Sequence, residues 1–540
     1  MEYVYPTRIL SADGADGVDA LLQKQTLQIG LGKTALTTLC GRAHLLLDFG
    51  KELSGGVRIL VKHGNGRVRI RFGESVGEAC AELGGTKNAT NDHSLRDFEV
   101  ELPNYSDMTF GASAFRFVRI DTLTDDAKFE IRSVVVANDA DTRPEIGSFS
   151  CDDPLLNEIW STAAYTLRLC LHNGYFWDGV KRDRLVWIGD LYPEMRAAHC
   201  LYGDTPEVLS SLCYAMEETP LPGWIAGMPA YSLWWLINLC DDYAFHGDAE
   251  RIVPLLPYVK ELLEQIDRHV TEDGEIAYPS NFIDWPTHCR SKDPDEVKRA
   301  DLRCGMHYLS HITMQKTISL LEDLGEDSAL CRQILDRLMQ KSHTVSRFKQ
   351  IAALGVWAGE QTAHHEELLL AGGAAGLSTF MSYPILSAVA AYGKQVEALS
   401  MLKEYYGGML SVGATTFWED FDLSWLENAS RIDAMPLPGQ VDIHGDRGAY
   451  CYTGYRHSLC HGWSAGVIPY LIETVVGVRS VARGMTHLEI RPQLGGLKRV
   501  HATVPTPYGA VEIRHTVLEN GKIDTVVNAP ECVRVDICQA

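Results

Sequence analysis

The sequence predicts a multidomain chain of mixed α and β class: a β-rich N-terminal region, a long helical region and a small C-terminal β-domain. Three observations predict it. Apolar residues alternate with a period of two before about residue 145, helical stripes punctuated by Gly, Pro, Asp and Asn run to about residue 478, and alternation returns from residue 479. At 540 residues the chain is too long for one core of ordinary size.

Residues 1–145 read as a β-sandwich. Val57, Ile59 and Val61 alternate with Arg58, Leu60 and Lys62, and after His63-Gly64-Asn65-Gly66 the residues Val68, Ile70 and Phe72 alternate with Arg67, Arg69 and Arg71. This predicts a β-hairpin with one buried face. Further strands are expected at 115–120 and 129–137. Residues 146–478 read as helical: Asp152 or Asp153 suits a helix cap, Pro154 its first turn, and Leu155, Ile159 and Thr162 its apolar stripe. Helices are expected at 206–216, 249–268, 303–324, 327–340 and 395–406. A repeat of 33 to 45 residues is lacking, which disfavours a solenoid and favours a closed double ring of helices. Residues 479–540 carry strands at 487–492, 509–514, 522–527 and 532–537, with a turn at Asn520-Gly521.

Composition excludes some partners. Lys plus Arg number 49 against 71 Asp plus Glu, a net charge of −22 that argues against nucleic acid and against an anionic membrane surface. A neutral sugar is compatible with it. With no run of about 18 apolar residues, no membrane span is expected. The N-terminal MEYVYPTRIL lacks a basic stretch followed by an apolar one, so no secretory signal is expected. The 14 cysteines form no CxxC pair, which predicts buried reduced thiols in a cytoplasmic protein. A homo-oligomer is left open.

The densest chemistry lies between Trp177 and Asp190, where Asp178, Asp183 and Asp190 stand among Lys181, Arg182, Arg184 and Trp187. Gly179 and Gly189 make much of this stretch a loop. Glycoside hydrolysis needs one carboxyl group to protonate the leaving oxygen and a second to act on the sugar or on water. Neighbouring carboxylates or an apolar wall can keep the first protonated. The same residues would equally make a surface loop of internal salt bridges. In a second loop Glu419 follows Trp418, as a base beside a sugar-facing ring or as an exposed Glu at an aromatic corner. His461, beside Trp463, suits a sugar hydroxyl, the orientation of Glu419, or a core position. Eleven tryptophans offer flat apolar faces, Trp285 among them.

These motifs resemble the α-L-rhamnosidases, glycoside hydrolase family 78 of the six-hairpin glycosidases. Asp178 to Asp190 is similar to the family's signature loop, with its acidic residue, basic-acidic-Arg-Leu run and closing Trp-x-Gly-Asp. Gly413 to Glu419 is similar to the Ala-Thr-Thr-x-Trp-Glu loop, and Ser458 to Trp463 to the Asn-His-Tyr segment. Residues 47–74, 148–160 and 490–509 resemble, in order, the preceding β-sandwich, the start of the helical domain and the C-terminal β-domain.

The resemblance implies an (α/α)6 barrel catalytic domain flanked by the two β-domains, and inverting hydrolysis of terminal α-L-rhamnosides without metal or cofactor. It implies Asp183 as general acid, Glu419 as general base, and Asp178, Lys181, Trp187, Asp190, Trp285 and His461 as sugar contacts. The acid position is usually Glu, so Asp183 is one methylene short. The stretch between Glu419 and His461 adds Asp433, Asp442, His444 and Asp446, which could reshape the pocket or supply another carboxylate. A same-fold glycosidase acting on a different sugar, and a rhamnose-binding protein with weak turnover, are the alternatives.

Overall fold

The computed structural model describes all residues except 1, 33–34, 65, 290–293, 346 and 539–540. Strands β1 (Glu2–Val4), β2 (Arg8–Asp16), β3 (Thr37–His63), β4 (Arg67–Gly73), β5 (Asp97–Glu101), β6 (Ser106–Thr122) and β7 (Lys128–Asn138) form one sheet. Its order is β1-β7-β3-β6-β4-β5, with β2 on β3, and every pairing is antiparallel. The 27-residue β3 pairs along its length with β2, β6 and β7, and Leu45, Leu47, Ile59, Ile70, Phe115, Ile120 and Ile131 share one core.

The expected hairpin is corrected. β6 lies between β3 and β4: Val57 to Val61 pairs with Phe110 to Ser106, and Val68 to Gly73 pairs with Thr122 to Phe117. Asn65 of the expected turn lies outside the described residues. Alternation decides which face of a strand is buried, but not which strand lies beside it. The 17-residue β6 is long enough to offer an edge to both. Leu60 and Arg71, expected on the open face, are buried too. On that side a short helix, α1 (Val76–Cys80), brings Val76 and Ala79 against Leu46 and Phe117.

Strand β8 (Ser148–Cys151) leads into α2 (Pro154–Cys170), capped by the Asp153 side chain with Pro154 in the first turn. Two short strands, β9 (Leu171–His172) and β10 (Tyr175–Phe176), precede α3 (Leu191–Leu201), α4 (Glu207–Glu218), α5 (Pro229–His246) and α6 (Leu256–Asp267). Then come α7 (Glu296–Asp323), α8 (Ala329–Leu338), α9 (Lys349–Trp357), α10 (Ala363–Leu370), α11 (Ser382–Ala391), α12 (Gln395–Ser411) and α13 (Val467–Tyr470). The helix expected over 249–268 breaks into single turns before α6, because Pro254 and Pro257 remove backbone donors. Helix α5 shows no stripe in the sequence because nearly all of it is buried, Trp234 and Trp235 included.

Contacts run from α3 to α5, α7, α9, α11 and α13, and from α13 back to α3, closing a cycle of six. Helices α2, α4, α8, α10 and α12 each pack on members of that cycle. Downstream, β11 (Val478–Ser480), β12 (His487–Ile490) and β16 (Arg534–Ile537) form one sheet, and β13 (Arg499–Thr506), β14 (Gly509–Val517) and β15 (Ile523–Asn528) another. Strand β8 completes the second sheet by pairing with β13, so residues 148–151 do not begin the helical region as expected. Six of the cysteines are buried and Cys40, Cys451 and Cys532 are exposed, so burial holds for only part of them. Among the described residues no helix is long and apolar enough to cross a membrane.

Candidate active site

Residues 177–190 and 458–463 are far apart in sequence but hydrogen-bond to each other. Gly179 bridges to His461, and Gly462 N donates to the Asp178 carbonyl at 2.7 Å. The first loop also closes on itself, since Leu185 N donates to Asp178 Oδ1 at 2.9 Å. Asp190 stands at the start of α3, and His461 at the start of the 3-10 turn (Gly462–Gly466) leading to α13. Both thus lie at the amino ends of neighbouring helices of the cycle, where the helix dipole favours negative charge. Gly189 has a steric reason: a Cβ there would sit 2.7 Å from the Tyr231 ring. The Tyr231 hydroxyl in turn donates to Asp190 Oδ1 at 3.2 Å.

Glu419, 1 % exposed, is held by its own backbone: its N–H donates to Ser458 O at 3.0 Å, and its carbonyl accepts from Thr379 Oγ1 and Trp463 Nε1. Arg182 Nη2 donates to both of its carboxylate oxygens, and Ser458 N to one of them at 3.3 Å. The other end of the same guanidinium, Nη1, donates to Asp183 Oδ1 at 2.7 Å. One buried arginine therefore bridges the two carboxylates expected to be acid and base. Asp183 is the more exposed of the pair and also lies 3.2 Å from His93 Nε2. The loop reaches this arrangement with Asp183 at φ 57° and Arg184 at φ 58°, both left-handed. Such backbone costs of order 1–3 kcal/mol per residue and concentrates at functional sites.

His461 Nε2 faces three carboxyl groups, Glu419 at 3.5 Å, Asp178 at 3.8 Å and Asp190 at 3.9 Å. Burial pushes the acidities of Asp178 and Asp190 well above the carboxylate range, and each is pushed further by its carboxylate neighbours. Burial, with Arg182 nearby, pushes the His461 imidazole well below its usual value. The site thus sets the Arg182–Glu419 ion pair beside Asp178, Asp190 and His461, whose charged forms burial disfavours.

Of the expected site residues, Asp178, Asp183, Asp190, Glu419 and His461 come together. Trp187 reaches the cluster through Tyr231, edge to face at 5.7 Å. Trp285 packs edge to face on Tyr452 at 5.5 Å, and Tyr452 lies under the Arg182 guanidinium. Lys181 departs from the expected sugar contact. Its ammonium lies 2.8 Å from Glu74 and 3.3 Å from Glu78 and donates to the carbonyls of Tyr455 and His457, so its donors serve the joint with the N-terminal sheet. The residues between Glu419 and His461 also turn to that joint: Asp433 meets Arg8 and Arg116, Asp442 meets Lys87 and Tyr455, Asp446 meets Lys87, and His444 meets Ser75. The sequence left the partners of Arg182 open and offered no sign of Tyr231 or His93. Nor did it mark Asp284, whose carboxyl burial pushes up to about 7 while it caps the turn at Trp285.

Against known proteins, residues 144–341 match the family model of the bacterial α-L-rhamnosidase six-hairpin glycosidase domain. The central segment is similar to a six-hairpin glycosidase domain of that type. Solved rhamnosidases share its fold. The glycoside hydrolase family 78 rhamnosidase of Bacillus sp. GL1 aligns over 94% of this chain and 55% of its own, at 19% identity and TM-score 0.72. The α-L-rhamnosidase of Dictyoglomus thermophilum aligns over 99% and 58%, at 17% identity and TM-score 0.68. The rhamnosidase of Klebsiella oxytoca, solved with rhamnose bound, aligns over 80% and 88%, at 18% identity and TM-score 0.64. The chain thus spans little more than half the length of the first two. No curated relative matches the chain.

Proposed function

We propose that this glycosidase-domain chain hydrolyses terminal α-L-rhamnosidic bonds with inversion. In this reading residues 152–478 form an (α/α)6 barrel around the six-helix cycle, between β-domain 1–145 and the C-terminal β-domain 479–540, which β8 joins. Asp183 gives its proton to the glycosidic oxygen. Glu419 takes a proton from the water that attacks the anomeric carbon from the opposite face, so β-rhamnose leaves first. Asp178 and Asp190, kept protonated by burial, can each donate and accept hydrogen bonds with a sugar hydroxyl. His461, Trp187 and Trp285 complete the sugar site. Lys181 acts at a distance, by holding the loop to the N-terminal sheet. The six buried cysteines suit a cytoplasmic enzyme acting on small rhamnosides.

The observation that carries this reading is the arginine bridge. Because one guanidinium touches both carboxylates, their nearest oxygens lie within about 7.5 Å of each other, compatible with the lower part of the roughly 6.5–9.5 Å spacing of inverting pairs. The test is release of p-nitrophenol from its α-L-rhamnoside, with the anomer followed by proton NMR. Wild type should turn over and release β-rhamnose first. Glu419→Gln should lose about 10²–10⁴-fold in kcat, and Asp183→Asn should lose less on this activated leaving group but about 10²–10⁴-fold on an alkyl rhamnoside. Initial release of α-rhamnose, or an unchanged rate in Glu419→Gln, would refute the assignment.

A second reading has one observation in its favour: burial pushes the Asp178 and Asp190 carboxyl groups well above the usual carboxylate range, which suits either as the proton donor. Leaving groups separate the two. The variant lacking the true acid should lose least on activated aryl rhamnosides and most on alkyl ones.

A further inference from the structure

We propose that His199, Asp242 and His246 form a binding site for a divalent transition-metal ion of the zinc type, separate from the sugar site. His199 lies in the last turn of α3; Asp242 and His246 stand four residues apart on α5, and therefore on one face of it. Each residue brings one ligand atom within 4.8 Å of the other two. Asp242 Oδ1 is 3.2 Å from His199 Nε2 and 3.4 Å from His246 Nε2. Ligands at about 2.0–2.2 Å around a tetrahedral ion are separated by roughly 3.3–3.5 Å, so both edges have the length an ion would set.

Two buried atoms argue for an ion over a simple hydrogen-bonded cluster. Asp242 is fully buried and its Oδ2 has no hydrogen-bond partner among the described residues; the side chain of His246 is 7% exposed and its Nε2 has none among them either. The nearest cation, Arg251, stays 3.9 Å from Asp242 and is engaged by Asp204 at 3.2 Å. Buried polar atoms left without partners are uncommon in folded proteins, and an unseen ion is one explanation. Asp204 is also the natural fourth ligand. Its Oδ1 is 3.7 Å from His246 Nε2, and its exposed side chain opens the site to solvent.

A second cluster of the same kind sharpens the inference. Glu74, Glu78 and His444 also bring three ligand atoms together. There the chain supplies its own cation, the Lys181 ammonium, and both ring nitrogens of His444 are bonded, to Ser75 Oγ and to the His457 carbonyl. The site between α3 and α5 has no such ammonium. An ion there would staple these two helices beside the C-terminal domain, where Arg483 donates to the Tyr243 hydroxyl and Gly247 abuts Gly484. His199 is about 13 Å along α3 from Asp190, at 1.5 Å per residue, so the inference does not rest on the hydrolase reading.

The test uses the untagged full-length protein. It is stripped with chelator, loaded with zinc, desalted, and measured for metal by mass spectrometry and for its melting midpoint. Wild type should retain one equivalent and melt at a higher temperature than the stripped form. His199→Gln and His246→Gln, folded by circular dichroism, should retain less than a tenth of that and show no shift, while His501→Gln, at an exposed position on β13, should retain the metal as wild type does. Cobalt loading keeps the test open if one variant misfolds: wild type should give the intense visible absorption of a tetrahedral ion. No retained equivalent in wild type, full retention in the folded variants, or only a weak octahedral cobalt spectrum would each overturn the proposal.

Discussion

Lys181 and Arg182 are consecutive, both cationic and both buried, yet they serve different regions. Arg182 reaches into the candidate active site and binds Glu419 and Asp183. Lys181 turns the other way, into the joint between the helical region and the N-terminal sheet, where Glu74 and Glu78 receive it. The surroundings differ as much as the directions. In the joint every polar end of Lys181 meets a protein acceptor, so nothing is left for a ligand. Beside Arg182, His461 Nε2 faces Glu419, Asp178 and Asp190 at 3.5–3.9 Å, and its Nδ1 has no hydrogen-bond partner among the described residues. A buried ion network that is complete holds structure together; one that is incomplete is a place for a substrate.

The largest expected effect that would break this comparison is at Lys181. Lys181→Met strands Glu74 and Glu78 in the joint and should lower urea-unfolding stability by about 3–5 kcal/mol. In the fraction that stays folded, kcat should fall less than tenfold; a loss of hundreds-fold with unchanged stability would return Lys181 to the sugar site.

Arg182→Lys is the next. An ammonium cannot span two carboxylates as the planar guanidinium does, so Glu419 and Asp183 lose their shared anchor. A displacement of about 1 Å costs on the order of 100-fold in rate, and the loss should appear in kcat with little change in KM. An unaltered kcat would make Arg182 a structural residue like its neighbour.

The smallest effect is a pH dependence. Burial pushes Asp284 up to about 7, so the folded state holds a proton that the unfolded chain, with a pKa near 4, has lost. Stability should therefore fall as pH rises from about 4 to about 7, by at most about 1.4 kcal/mol per pH unit for this group, and then level off. Asp284→Asn should flatten that part of the profile. If urea midpoints at pH 5 and pH 8 differ equally in wild type and variant, Asp284 is not the source.

How much of this was legible beforehand varied with the kind of signal. The cap and first turn of α2 were readable from Asp153-Pro154, because a cap is made within a few residues. So were the helices with an exposed face. The core-embedded α5 was not, nor was the true neighbour of β3, because burial on all sides erases periodicity and alternation is blind to strand order. In the site, Asp178, Asp183, Asp190, Glu419 and His461 were recoverable from motif and spacing. Tyr231 and His93 were not, since each arrives from a distant element with no local mark.

By itself, the sequence determined the β-helical-β order of the chain, the carboxylates available for catalysis, and a net charge that disfavours polyanionic partners. These follow from residue type and near-neighbour spacing. Only the tertiary structure decided that Lys181 and Arg182 part ways, that one guanidinium spans Asp183 and Glu419, and which carboxyl groups burial pushes above their usual range. Those outcomes depend on desolvation and on partners hundreds of residues away, as with Arg182 and Glu419, which are 237 residues apart.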